Sequence, residues 1–149
     1  MNKSNFIKAF FSSVGAFICI VLLAFLNSLN DAVVWLIPPF GASIVLVMAV
    51  SDSPLASPKN LIAGHILSAL SGVIIYHFFG NTIISLGLGL SLAVFVMILT
   101  KTIHPPAGAN PIIVILTGQN LSFVFMPVAI GASTIVIFAF VYNNIFKQK

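Results

Sequence analysis

Residues His104 to Pro111, HPPAGANP, place an imidazole, a carboxamide, a glycine and three prolines inside a chain otherwise dominated by Leu, Ile, Val, Phe and Ala. Proline lacks an N–H and holds φ near −65°, so a Pro pair stops a regular helix from running through. Gly108 permits φ > 0 and close approach to the backbone. Asn110 then suits an N-cap and Pro111 an N1 position, opening a short helix that Gly118 can end. A helix start offers free N–H groups and about half a positive charge, which together attract anions. His104 can donate a hydrogen bond to an anion or carry a proton with one.

A second stretch repeats the pattern. Pro38-Pro39-Phe40-Gly41-Ala42-Ser43 aligns with Pro105-Pro106-Ala107-Gly108-Ala109-Asn110, identical at its two prolines, its glycine and its alanine. Ser43 is expected to cap a helix running to about Val50, and Ile37 stands where the second copy has His104. The candidate substrate-binding residues are therefore Pro39, Phe40, Gly41, Ala42 and Ser43, with His104, Pro105, Pro106, Ala107, Gly108, Ala109 and Asn110. Lys101 and His65 are secondary candidates, the lysine as an anion-steering charge and the histidine on a stripe of His65, Ser68, Ala69, Gly72 and Tyr76 at helical spacing. The plainer alternative is a pair of structural kinks, which explains one copy more readily than two matched ones.

These motifs need elements to hold them, and composition says which. The chain has 149 residues, 60% hydrophobic and 5% charged, with two acids, six lysines and no Arg or Glu. A soluble domain carries roughly a quarter charged residues, so the solvent for this surface is lipid. Six scattered lysines make no nucleic-acid patch. The single Cys19 and the absence of a Cys/His/Asp/Glu cluster give no metal site, no cofactor and no disulfide. No Ser, Cys or carboxylate stands beside His104 at a recognisable spacing, so no enzyme is expected.

Four stretches approach the ~20 residues of a membrane span: 9–29, 60–79, 83–101 and 123–143. The leader-like N-terminus is read as a retained first helix. The two motif-bearing segments, 31–50 and 102–118, lie between these spans. If both cross, Lys3, Lys8, Lys59, Lys101, Lys147 and Lys149 all fall on the cytoplasmic side, as the positive-inside bias requires. The expected fold is thus an all-α membrane protein, one transmembrane domain over 1–149, with six segments as two inverted three-helix repeats (7–79 and 83–146). Its second and fifth segments break into half-helices at PPFGAS and HPPAGANP, whose N-termini meet near the midplane, a pattern that marks transporter binding sites. Expected caps are Asn30 and Asp31, Ser57 before Pro58, and Asn81 and Thr82.

His104-Pro105-Pro106-Ala107-Gly108-Ala109-Asn110-Pro111 resembles the signature of the HPP family of small integral membrane proteins. Pro39 to Ser43, followed by Asp52-Ser53-Pro54-Leu55-Ala56, Pro58-Lys59-Asn60 and Gly64-His65, is similar to that family's other marked stretch. Position 59, often Arg in relatives, is Lys here, which keeps the charge and loses the bidentate geometry. Some relatives in plastids and cyanobacteria are associated with nitrite transport, so the resemblance implies a nitrite-like anion as substrate. Larger relatives append soluble regulatory domains; with the chain ending at Lys149, none is expected here.

The expected function is a transporter or channel for a small monovalent anion, nitrite first, in a homodimer in a bacterial inner membrane with both termini cytoplasmic. The alternative is a non-transporting membrane scaffold or assembly subunit.

Overall fold

The computed structural model describes residues 2–29 and 35–146, and within them the chain is helical with no strand. Six principal helices follow in order: α1 Lys3–Ser28, α2 Pro38–Ala49, α3 Pro58–Phe79, α4 Ile83–Leu99, α5 Asn110–Thr117 and α6 Leu121–Ile145. Three of them, α1, α3 and α6, are long and apolar enough to cross a membrane. At 1.5 Å per residue α2 is about 18 Å long and α5 about 12 Å, well short of a ~30 Å hydrocarbon core. The two short helices carry the matched motifs.

The helix ends obey their local chemistry. Ser57 Oγ accepts from Asn60 N–H with Pro58 in the first turn, and Thr82 Oγ1 accepts from Ser85 N–H. Gly118, at φ 64°, ends α5 in the left-handed conformation that glycine adopts without penalty. The expected caps Asn30 and Asp31 lie outside the described residues, as do Lys147 and Lys149.

Helix packing divides the bundle into two clusters. α1, α2 and α6 pack mutually, as do α4, α5 and α3, and α3 packs on α6 between them. Exchanging the first three helices for the last three leaves this pattern unchanged. Large apolar side chains such as Phe17, Phe78, Ile83, Phe140 and Ile145 point outward, as lipid contact demands. Inside, small residues bring backbones together. A Cβ on Gly72 of α3 would lie 2.6 Å from Pro111 Cα of α5, and one on Gly64 would lie 2.8 Å from His104 Cβ.

Three local expectations need correction, and one bend adds to them. The Pro-Pro pair of PPFGAS begins α2 instead of interrupting it, because Pro38 and Pro39 occupy the first turn, where a missing N–H removes no helical bond. Ser43 and Asn110 therefore cap nothing; α2 and α5 have no side-chain cap. Gly41 and Gly108 have no positive φ, since both lie in helical turns, and a Cβ on Gly41 would meet nothing within 4 Å. Finally, the last span is not straight. Met126, at φ −138° and ψ 114°, leaves helical geometry before Pro127, as residues preceding proline are pushed to do.

Candidate functional site

The two motifs start alike. Ile37 and His104 each precede a Pro pair and are extended, with ψ 139° and 99°. The third residue of each motif then folds back, Phe40 N–H onto Ile37 O and Ala107 N–H onto His104 O, both at 3.0 Å. Beyond this point they diverge because only the second has Pro111. That proline cannot donate to Ala107 O, so Pro105–Ala109 winds as a tighter turn, Asn110 N–H takes Ala107 O, and α5 starts afresh. The free N–H groups expected at both helix starts are thus either absent, at the prolines, or already bonded at Phe40 and Ala107.

What the motifs deliver to the interior is side chains. Ser43 from α2, His65 from α3, His104 from the Pro105–Ala109 turn's leading edge and Asn110 from α5 are all 0% exposed. Ser43 Oγ lies 2.7 Å from His65 Nε2 and 2.8 Å from His104 Nε2, and 3.0 Å from its own helix's Pro39 O. His104 Nδ1 lies 2.8 Å from Leu55 O. Asn110 Nδ2 sits 2.9 Å from His65 Nδ1, 3.0 Å from His65 O and 3.0 Å from Ser68 Oγ. Ser68 Oγ in turn donates to His65 O at 3.1 Å.

Acceptors fix the proton positions. Leu55 O accepts only, so His104 Nδ1 carries a proton and, with the ring neutral, its Nε2 is a bare acceptor. The His65 carbonyl requires an N–H of Asn110 at Nδ2, which assigns the amide and leaves His65 Nδ1 as acceptor. His65 Nε2–H then donates to Ser43 Oγ, and Ser43 O–H donates to His104 Nε2. One directed chain of hydrogen bonds results: Asn110, His65, Ser43, His104, Leu55. Asn110 Oδ1, on the far side of the amide, is buried with no partner.

Leu55 is the member that sequence reasoning missed. A carbonyl in the Pro54–Ala56 turn would normally find its donor three residues on, but residue 58 is proline. The Leu55 carbonyl is therefore left over for His104, and Pro58 was the signal for it. Asn60 Nδ2 clamps the same corner, donating to Pro54 O and Ile103 O, each at 3.1 Å.

The remaining candidates are placed as follows. Phe40 is buried, its ring in a T-shaped contact with that of His65, centroids 5.3 Å apart, and its Cε2 and Cζ atoms lie against Gly131 of α6. Pro39 contributes its carbonyl to Ser43. Ala107 is buried with Ala93 and Met97 of α4. Gly41, Pro106, Gly108 and Ala109 are half-buried, and Ala42 and Pro105 are exposed. Lys101 is exposed at φ 54° in the turn after α4, apart from the cluster. His65, ranked second in the sequence, is central, touched by both motifs.

Two cavities lie at opposite ends of α3. One, ≈ 290 Å³, is bordered by Val47, Ser51, Asp52, Pro58 and Asn143. The other, ≈ 600 Å³, is bordered by Tyr76, His77, Gly80, Gly118 and Leu121. The hydrogen-bonded cluster stands between them along α3. Among the described residues no group of three or more His, Cys, Asp or Glu side chains could hold a metal ion.

An apolar exterior around a buried polar cluster, carried by helices of membrane-spanning length, defines an integral membrane protein. The chain belongs to the HPP family: the model of that family's transmembrane region matches residues 1–149. It is also similar to two transmembrane proteins of Dictyostelium discoideum. One is 35% identical over 149 residues, covering 93% of this chain and 48% of the relative. The other is 32% identical over 146 residues, covering 93% and 51%. The chain thus spans about half the length of the curated relatives it matches. No solved structure matches it.

Proposed function

We propose that the chain moves a small monovalent anion, nitrite first, across the membrane, and that the Ser43–His65–His104–Asn110 cluster is where the anion is selected. The carrying observation is that both Pro-Pro motifs, one from each half of the chain, bring their final side chain to the same buried imidazole. Polar groups of this kind are costly inside a bilayer and mark solute pathways by default. Donors to the anion are the Ser43 hydroxyl, the Asn110 amide and the imidazole N–H groups. With the cluster fully buried between two cavities, passage requires α2 or the Pro105–Ala109 turn to move, which favours a gated carrier over a standing channel.

The exchange-symmetric packing of the helices supports two repeats, and the odd number of segments in each supports their inversion. The lysine distribution supports cytoplasmic termini. Short α2 and α5 leave little wall for one protomer, which supports a homodimer, placed in this reading in a bacterial inner membrane. No part of the cluster pairs a nucleophile with a carboxylate, so the proposal is transport without catalysis.

The test is uptake into proteoliposomes, with nitrite, nitrate, formate and chloride compared under imposed voltage. Saturable nitrite uptake that falls at least tenfold in Asn110→Ala is expected. Folded wild-type protein that passes none of the four overturns the reading and favours a scaffold.

A further inference from the structure

We infer that the His65–Ser43–His104 chain is a proton relay, so that the anion crosses together with a proton; this rests on the anion-transport reading above. Three features of the geometry carry it. Every link is 2.7–2.8 Å long from His65 Nε2 to Ser43 Oγ, to His104 Nε2, and from His104 Nδ1 to Leu55 O. All donors in it point the same way, from Asn110 toward Leu55. The two imidazoles, with centroids 5.0 Å apart, each present one nitrogen to the shared hydroxyl and the other to a different partner. An imidazole used only as a packing or capping group needs one such contact; here both nitrogens of both rings are engaged.

The transfer balances. A proton gained at His65 Nδ1 releases the Nε2 proton to Ser43 Oγ, the Ser43 proton passes to His104 Nε2, and His104 Nδ1 gives its proton to the anion or a water at the Leu55 corner. One proton enters and one leaves, and each N–H or O–H bond broken is matched by one formed. Pro39 O, 3.0 Å from Ser43 Oγ, gives the hydroxyl a second resting acceptor that opens the wire.

The charged groups of the packed elements stay out of it. Asp52 of the α2–α3 connection, Lys59 in the first turn of α3 and Lys101 after α4 are exposed, and α2, α5 and α6 place no acid or lysine against either ring. His77 is exposed at the far end of α3. Among the described residues, the two imidazoles and the serine are therefore the proton path between Asn110 and Leu55.

The experiment is nitrite uptake with internal pH recorded by a trapped dye, at voltage clamped to zero and with protein-free liposomes subtracting nitrous acid leak. An inward proton gradient should raise wild-type uptake at least tenfold; Ser43→Ala should lose that stimulation and Ser43→Thr, which keeps the hydroxyl, should retain it. If Ser43→Ala does not fold, His104→Gln, which can hydrogen-bond but not shuttle, should show the same loss. Wild-type uptake that ignores the proton gradient overturns the relay and leaves the transport reading standing. Stimulation in Ser43→Ala or His104→Gln equal to wild type also overturns it. Gradient-driven acidification without nitrite flux, abolished by Ser43→Ala, keeps the relay and overturns the transport reading; neither flux from folded protein overturns both.

Discussion

Ser43 and Asn110 hold one imidazole from opposite edges: Ser43 Oγ at 2.7 Å from His65 Nε2, and Asn110 Nδ2 at 2.9 Å from His65 Nδ1. They occupy equivalent places in two copies of a Pro-Pro-x-Gly-Ala motif. His65→Phe keeps a ring of similar breadth but strands both partners in an apolar interior. It should destabilise the protein by about 1–2 kcal/mol, read as a lower melting temperature in detergent. A variant that melts with wild type would mean the polar cluster contributes nothing to the fold.

Glycines of similar appearance should respond in opposite ways. Gly41 is helical with open space where a Cβ would go, so Gly41→Ala should stabilise by about 0.5–1 kcal/mol through helix propensity. A Cβ on Gly72 would press on the Pro111 backbone at 2.6 Å, so Gly72→Ala should cost about 1–3 kcal/mol. Chemical or thermal melts of the two variants side by side check the contrast. Equal responses would contradict the α3–α5 contact.

Phe40 and Gly131 are a size-matched pair across α2 and α6, the ring lying where a Cβ on the glycine would fall. Gly131→Ala should lower stability by about 1–3 kcal/mol, and adding Phe40→Leu should recover part of the loss. A double-mutant cycle measures the recovery. Strict additivity would place the two residues apart.

Topology is open to side-specific labelling. In membrane vesicles, Lys8→Cys and Lys101→Cys should react with an impermeant thiol reagent from one face, and Asn81→Cys from the other, while Cys19 is buried and silent. Lys8→Cys and Lys101→Cys reacting from opposite faces would exclude six crossings.

Much of this was legible before any coordinates. Apolar length located the long helices, Ser57-Pro58 and Thr82 located two starts, and Gly118 located one end. The matched Pro-Pro motifs each send their last side chain to one buried cluster. What escaped depended on partners distant in the chain. Ser43 and Asn110 are good cap residues by type, and only the arrival of His65 from α3 converts them into interior ligands. Gly41 and Gly108 looked like close-approach positions, yet the close approaches fall at Gly64, Gly72 and Gly131, because which helix face meets a neighbour is decided by packing. The bend at Met126 needed only closer weight on Pro127.

The exchange of third helices between the two clusters sets an order of events during synthesis. α2 emerges early, yet α6, which it packs against, is the last of these six helices in chain order, and His104, which adds the second Ser43 contact, also comes late. Until then α2 is held by α1 and by the Ser43–His65 contact with α3, with the face that meets α6 uncovered. These helices cannot mature half by half: the first half stays an open clasp that closes only when α6 is inserted.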